Sequence, residues 1–302
     1  MNDLLNFVGR TPSIMVDNVF VKLEYFNPSG STKDRIAKKI LLDAIESGKL
    51  KQGMEVIEAT SGNSGIAFSM VCALLGFKMN VIMPEGLSNE RTEYIKAYGA
   101  NIILTPKKDS VFGAVKKEME LAKNPKYFSV SQFDSDLNPE AFYETLGQEI
   151  INEYGKRIDA FVAGVGTGGT IAGVGKAIKE KFPKAKIFAV EPIESPVLIG
   201  GKHSEHKIEG IGDGFIPGIY KKYEDLFDGV IQISSEEAIE ETVKLARKGI
   251  LAGISSGANL LAAKKLKKQF RNVATIFPDG GQRYFSMNIY REKHSIPVTA
   301  RK

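Results

Sequence analysis

The chain has 302 residues, 43% of them hydrophobic and 25% charged, with 30 glycines; the length suits two lobes with sizeable cores, and the composition excludes disordered, fibrous and low-complexity classes. A net charge of +5 and a pI near 9.0 would point to nucleic acid only if the basic residues formed a stripe with interleaved aromatics, but they are scattered through helical patterns such as 262–269, so no nucleic-acid partner is expected. The single cysteine, Cys72, lies in an apolar stretch and reads as core filling, excluding a disulfide framework or cysteine metal cluster, while the lack of a leader-like N-terminus or any apolar run of ~18 residues makes the expected compartment the cytoplasm, with no membrane and no metal.

In chain order, the first informative segment is Asn27-Pro28-Ser29-Gly30-Ser31-Thr32-Lys33-Asp34-Arg35. Its small residues form a turn that opens a helix and puts Lys33 in the first turn. There the positive helix end and loss of solvent both lower a lysine pKa and favour the neutral, nucleophilic amine that Schiff-base chemistry needs. Read alone, the segment is more often an N-capped helix with an exposed lysine, and only the motifs that follow overturn that reading.

Short β-branched runs then alternate with helical patterns: a strand over 54–59, a helix over 65–75, a strand over 79–83, a helix over 90–98 and a strand over 101–104. This is the rhythm of a parallel sheet with covering helices. Between the first strand and helix lies Thr60-Ser61-Gly62-Asn63-Ser64-Gly65. Backbone N–H groups and hydroxyls converge there on an anion such as a carboxylate, or the segment is a plain glycine turn with an N-cap. The stretch 128–139 is polar and turn-rich and reads as a crossing between lobes rather than an element of either sheet, with the active cleft at that junction.

The rhythm resumes with a strand over 160–163, a helix over 171–181 and a strand over 186–190, which predicts a second sheet. Gly164-Val165-Gly166-Thr167-Gly168-Gly169-Thr170 joins the first two as a phosphate cradle, bare backbone N–H groups facing a positive helix terminus and Thr167 and Thr170 adding hydroxyls. A side chain at Gly168 or Gly169 would occupy phosphate space. Gly164, Gly166 and Gly169 also satisfy the G-x-G-x-x-G dinucleotide fingerprint, with Glu191 at about the right distance, so the loop alone leaves pyridoxal phosphate and nicotinamide dinucleotides both open. A P-loop is excluded because no Gly-Lys-Ser/Thr closes the segment.

Together with Glu209-Gly210-Ile211-Gly212 and Ser255-Ser256-Gly257-Ala258 later in the chain, these motifs in this order resemble the cysteine synthase (O-acetylserine sulfhydrylase) and cystathionine β-synthase family of fold-type II pyridoxal 5′-phosphate (PLP) enzymes, over nearly the full length. The resemblance implies an α/β fold of the tryptophan synthase β type: two lobes, each a mostly parallel twisted sheet flanked by helices, with PLP between them. Residues 34–146 would be a smaller lobe, mobile on substrate binding; 1–33 and 147–302 would form the larger lobe, which binds the cofactor phosphate. It further implies a homodimer. Lys33 would carry the cofactor and take the substrate Cα proton. Asn63 would bond the PLP 3′-oxygen, Gly166, Thr167, Gly168, Gly169 and Thr170 its phosphate, and Thr60, Ser61, Ser64 and Gln132 the substrate carboxylate. Ser255 would face the pyridine nitrogen, where a neutral hydroxyl leaves a weaker electron sink than an aspartate and so suits loss of a β-substituent through an α-aminoacrylate. Ser255 and its neighbours are also expected to cap a helix.

The chain departs from the family pattern at Thr32, where Val is commoner, at Ser64, where Thr is commoner, and at Asp213, where a small apolar residue is usual. In the family this last loop faces the substrate side chain. A carboxylate there would take a proton from incoming water or thiol, or hold the ammonium of a second amino acid; a solvated turn aspartate is the plain alternative. The expected reaction is PLP-dependent β-replacement in sulfur amino-acid metabolism, making or consuming cysteine. Asp213 hints at L-cysteine as donor, with hydrogen sulfide released and serine, lanthionine or cystathionine formed. Two readings compete: a β-eliminating cysteine or serine lyase giving pyruvate and ammonia, and a PLP-free binding or regulatory relative, against which the intact Lys33 argues.

Overall fold

A computed structural model describes residues 2–60 and 62–290. The chain opens with the hairpin β1 (Ser13–Val16) and β2 (Val19–Leu23), then α1 (Lys33–Glu46). A βα succession follows: β3 (Glu55–Ala59), α2 (Asn63–Leu75), β4 (Lys78–Pro84), α3 (Asn89–Ala97), β5 (Asn101–Thr105), α4 (Ser110–Leu121) and β6 (Tyr127–Ser129). A helical run, α5 (Leu137–Phe142), a π-turn at Tyr143–Gly147 and α6 (Gln148–Tyr154), leads into β7 (Ala160–Gly164), α7 (Gly169–Lys181), β8 (Lys186–Pro192), α8 (Gly218–Lys222), β9 (Gly229–Ile233), α9 (Ser235–Arg247), α10 (Ile254–Leu266) and β10 (Val273–Phe277).

The strands form two sheets, six-stranded in the order β1-β2-β10-β7-β8-β9 and four-stranded in the order β5-β4-β3-β6. Between the named strands of the described residues only the β1–β2 pair is antiparallel, the others being parallel; isolated antiparallel bridges join Ser31 to Asp279 and Ala252 to Gly280. The periodicity of the chain explains these elements. Both faces of β2 are covered, so all five of its residues, Val-Phe-Val-Lys-Leu, are buried. α2 is apolar on nearly every side and lies sunk between sheet and helices, ending on Gly76 in the left-handed region at φ 76°. α9 is amphipathic and starts from a Ser234–Glu237 capping box. A continuous apolar core carries residues of both sheets, among them Val56 and Val81 with Phe161 and Ile187. Cys72 is buried within it, its thiol pushed up to about 12 by burial.

One expectation fails here. Residues 128 and 129 belong to β6, which pairs in parallel with β3 from Glu55 to Ile57, and α5 begins at Leu137, so the 128–139 stretch is only partly a crossing. A three-residue strand is too short to show a period of two, and Pro139 falls in the first turn of α5, where its missing N–H has no partner to lose. No helix among the described residues is long and apolar enough to cross a membrane.

Candidate active site

The carboxyl ends of parallel strands from both sheets converge on one cavity, as the direction of βα units dictates. Thr60 follows β3, the segment from Gly164 to Thr170 follows β7, and Pro278 follows β10; Lys33, Asn63, Ser64, Gln132, Asp213 and Ser255 complete much of the wall.

Lys33 is the first residue of α1 and its amine opens into the cavity. Burial holds its pKa below the ordinary lysine value, against the pull of the Asp213 and Asp279 carboxylates. The exposed-lysine alternative is thereby set aside. The turn before it is built tightly: the Ser29 N–H donates to Asp34 at 2.7 Å and Gly30 sits in the left-handed region at φ 86°.

Across the cavity, Gly62 N–H donates to the Thr60 hydroxyl at 2.9 Å, closing the turn into α2. Ser61 lies outside the described residues. Asn63 donates through Nδ2 to Asp279 Oδ2 at 2.7 Å, and the Tyr284 hydroxyl donates to the same oxygen at 2.7 Å. The amide is thereby fixed with a buried Oδ1 that has no partner among the described residues. Gln132 is engaged at both ends, accepting from Ser64 Oγ at 2.5 Å and donating from Nε2 to the Ala59 carbonyl at 2.9 Å. Behind this wall the buried Glu118 accepts the Ala59 N–H at 2.9 Å and the Ser131 N–H at 3.2 Å, tying the end of β3 to the turn that carries Gln132.

The glycine segment enters α7 with Gly168 left-handed at φ 85°. Thr167 Oγ1 accepts from Gly169 N–H at 3.3 Å and from Asn138 Nδ2 at 3.0 Å. A Cβ on Gly166 would stand 2.4 Å from the Gly210 carbonyl, so the cradle and the 209–213 loop pack against each other through bare backbone. A Cβ on Gly168 would meet the Tyr220 backbone at 2.9 Å and one on Gly169 the Asn138 side chain. Against the expectation that a side chain at either position would occupy phosphate space, it would meet protein. Glu191 accepts from the Leu198 N–H at 2.8 Å and is not among the lining residues, which removes the acidic partner that the dinucleotide reading needs.

Ser255 lines the cavity and is buried, yet it does not cap α10; Gly253 holds that position and Ser255 is the second residue of the helix. The capping expectation failed because Gly253, which has no side chain to signal its role, already supplies the extended entry at φ −77°, ψ 173°. Asp213 is partly buried in the wall, its carboxyl pushed up to about 6 by burial, with the charges of Lys33 and Arg91 pulling the other way. It is not a freely solvated turn residue. Sequence reasoning missed Arg91, Glu209's side chain, Asn138 and Asp279. Asp279 had a signal, an Asp-Gly-Gly just past a strand; Arg91 had none, sitting in an ordinary polar helical pattern.

The lining residues match a cofactor with an anionic group for the α7 terminus, a carbonyl carbon for the Lys33 amine and a hydroxyl that would satisfy Asn63 Oδ1. A glycine cradle, a lysine with lowered pKa and an orphaned buried acceptor on one cavity fit pyridoxal phosphate. Among the described residues no cluster of metal-ligating side chains occurs.

The family model for the pyridoxal-phosphate dependent enzymes matches residues 4–279. A cysteine synthase of Staphylococcus aureus is 43% identical, the match covering 96% of this chain and 97% of that one. A hydrogen sulfide-producing enzyme from Fusobacterium nucleatum is similar in structure with a TM-score of 0.90 at 41% identity, over 97% of this chain and 92% of that one. An O-acetylserine dependent cystathionine β-synthase from Helicobacter pylori also gives 0.90, at 39% identity over 95% and 98%.

Proposed function

This chain belongs to the pyridoxal-phosphate dependent enzyme family, and we propose that L-cysteine is its amino-acid donor, with hydrogen sulfide leaving from the β-carbon. Its cofactor is pyridoxal 5′-phosphate and its chemistry is β-replacement on an amino acid. When bound, the cofactor withdraws electrons from the substrate Cα, so that the Cα proton and then the β-substituent can leave. Lys33 Nζ takes and later returns that proton. The N–H groups and hydroxyls from Gly166 to Thr170 hold the phosphate, Asn63 the 3′-oxygen, and Thr60, Ser61, Ser64 and Gln132 the substrate carboxylate. Ser255 faces the ring nitrogen as a neutral partner.

The observation that carries the choice of donor is Asp213, an ionisable carboxyl in the cavity wall on the Lys33 side. A base there suits an incoming nucleophile that must lose a proton before it adds, whereas sulfide is already an anion. The likeness to a hydrogen sulfide-producing enzyme supports the same choice. The test is to supply holoenzyme with L-cysteine alone and, separately, with O-acetylserine plus sulfide. Sulfide release and a new amino acid are expected from L-cysteine alone. Turnover confined to O-acetylserine plus sulfide would make the protein an ordinary cysteine synthase.

The small lobe of this reading is 34–146, which contains the four-stranded sheet and would move on substrate binding. The assembly is a homodimer in the cytoplasm; exposed Phe7, Met15 and Phe26 supply apolar surface for it. Sedimentation equilibrium checks the dimer.

A further inference from the structure

We propose that Ser195, His203 and His206 form a clamp on the Gly212 carbonyl that sets where the Asp213 carboxyl stands, which makes the two histidines positioning residues for proton transfer at Asp213. The inference rests on the reading of Asp213 as a base given above.

Asp213 lies in the cavity wall, yet among the described residues no hydrogen bond holds its carboxyl, whose electrostatic neighbours are Lys33 and Arg91. Its place is therefore set by the backbone that carries it. That backbone is flanked by Gly212 at φ 69° and Gly214 at φ 88°, residues that supply no stiffness of their own. Contacts from other segments supply it. The Gly212 N–H donates to the Val165 carbonyl at 3.0 Å, which ties the loop to the glycine cradle. The Gly212 carbonyl belongs to the peptide bond that leads into Asp213. It accepts twice, from His206 Nε2 at 3.0 Å and from the Ser195 hydroxyl at 3.1 Å, so both of its lone pairs are used. His203 Nδ1 in turn lies 2.7 Å from Ser195 Oγ. Both rings also pack on the loop: a Cβ on Gly212 would stand 3.1 Å from His206 Nε2, and one on Gly214 would stand 3.0 Å from the His203 ring.

Counting protons fixes the tautomers. A carbonyl cannot donate, so His206 carries its proton on Nε2. Its Nδ1 is buried without a partner among the described residues, and burial holds its pKa below the ordinary histidine value, which keeps the ring neutral. Ser195 is fully buried and spends its one hydroxyl proton on Gly212, so His203 donates to it from Nδ1. Opposite tautomers on two histidines of one short segment are the signature of the clamp.

Imidazole ¹⁵N NMR of the holoenzyme near pH ~8, where an ordinary histidine is neutral, reads those tautomers without turnover. His206 is expected as the Nε2–H form and His203 as the Nδ1–H form; the reverse form at either ring would overturn the inference. Single-turnover kinetics with L-cysteine then separate loss of sulfide, governed by Lys33, from formation of the new amino acid, which uses Asp213. His206→Leu is expected to leave the first within about twofold and to slow the second at least about tenfold, since a small misplacement of a reacting group is costly. His206→Gln, which keeps an N–H donor near the place of Nε2, should recover most of that loss. In an Asp213→Asn background, His206→Leu should cost no more than about twofold further, because the base it positions is gone. Additive losses in the double variant, or equal slowing of both halves, would overturn the inference. Should His206→Leu not fold, the tautomers decide together with His203→Ala, a change at an exposed position for which the same split between the halves is expected. No slowing in Asp213→Asn alone would sink the base assignment and this inference with it; slowing there but none in His206→Leu would sink this inference alone.

Discussion

Lys33 and Asp213 share one cavity but answer to different tests. The lowered pKa of Lys33 leaves a larger share of neutral amine at neutral pH, which is the form that captures a carbonyl carbon. Lys33→Ala is expected to abolish the visible absorbance of the purified protein and its borohydride-reducible adduct; mapping of a reduced adduct to a different lysine would refute the assignment. Asp213→Asn is expected to lower replacement turnover with L-cysteine by roughly 10²–10⁴-fold, the usual worth of a general base. The carboxyl sits at about 6, above the ordinary aspartate range because burial disfavours its charge. It is therefore protonated and idle as a base below that pH, and turnover should fall on the acid side. A pH profile of turnover unchanged between the native protein and Asp213→Asn would show that Asp213 takes no proton. The Lys33 motif and the departure at Asp213 were both legible, because each is a residue type out of keeping with its local pattern. Arg91 was not, because one more arginine on a polar helix has no local signature.

At the scale of elements, the βα rhythm gave the alternation and placed the glycine segments at strand ends, where the direction of a parallel sheet brings them together. What it could not give was the neighbour each glycine faces. Gly166 stands against the Gly210 carbonyl, Gly168 against Tyr220 and Gly169 against Asn138, three contacts made by segments distant in sequence. Gly166→Ala should therefore press the cradle and the Asp213 loop apart. The expected result is loss of most bound PLP on dialysis with a folding penalty of roughly 1–3 kcal/mol, the range for overpacking. Full retention of cofactor at unchanged stability would mean that the loop relaxes freely. The short strand β6 and the glycine cap of α10 were missed for the same reason: pairing with β3 makes one, and a residue without a side chain makes the other.

In the whole molecule, a buried ionic network ties the opening hairpin to the helices that follow. Glu24, fully buried, accepts from Arg35 Nε at 2.7 Å and from the Thr11 hydroxyl at 2.6 Å, and Arg35 also pairs with Glu149 on α6 at 2.7 Å. The Arg35 guanidinium holds the Glu24 carboxyl below the ordinary glutamate value despite burial and, with Lys22, holds that of Glu149 at about 2. Glu24→Ala leaves the guanidinium short of a partner and should cost roughly 3–5 kcal/mol in chemical denaturation, the range for one buried partner removed; a change under about 1 kcal/mol, the level of an exposed pair, would mean that Glu149 compensates. Nothing in the sequence paired these residues, since 114 positions separate Arg35 from Glu149. By itself the sequence determined the α/β class, the two-sheet division and the cofactor type, because periodicity, turn chemistry and ordered motifs are local properties of the chain. The tertiary structure alone decided that Asp213 lies in the cavity wall, that Arg91 and Glu209 join it, and that two of the cradle glycines face protein, because burial and charge pairing come from segments that only the folded packing brings within a few ångströms.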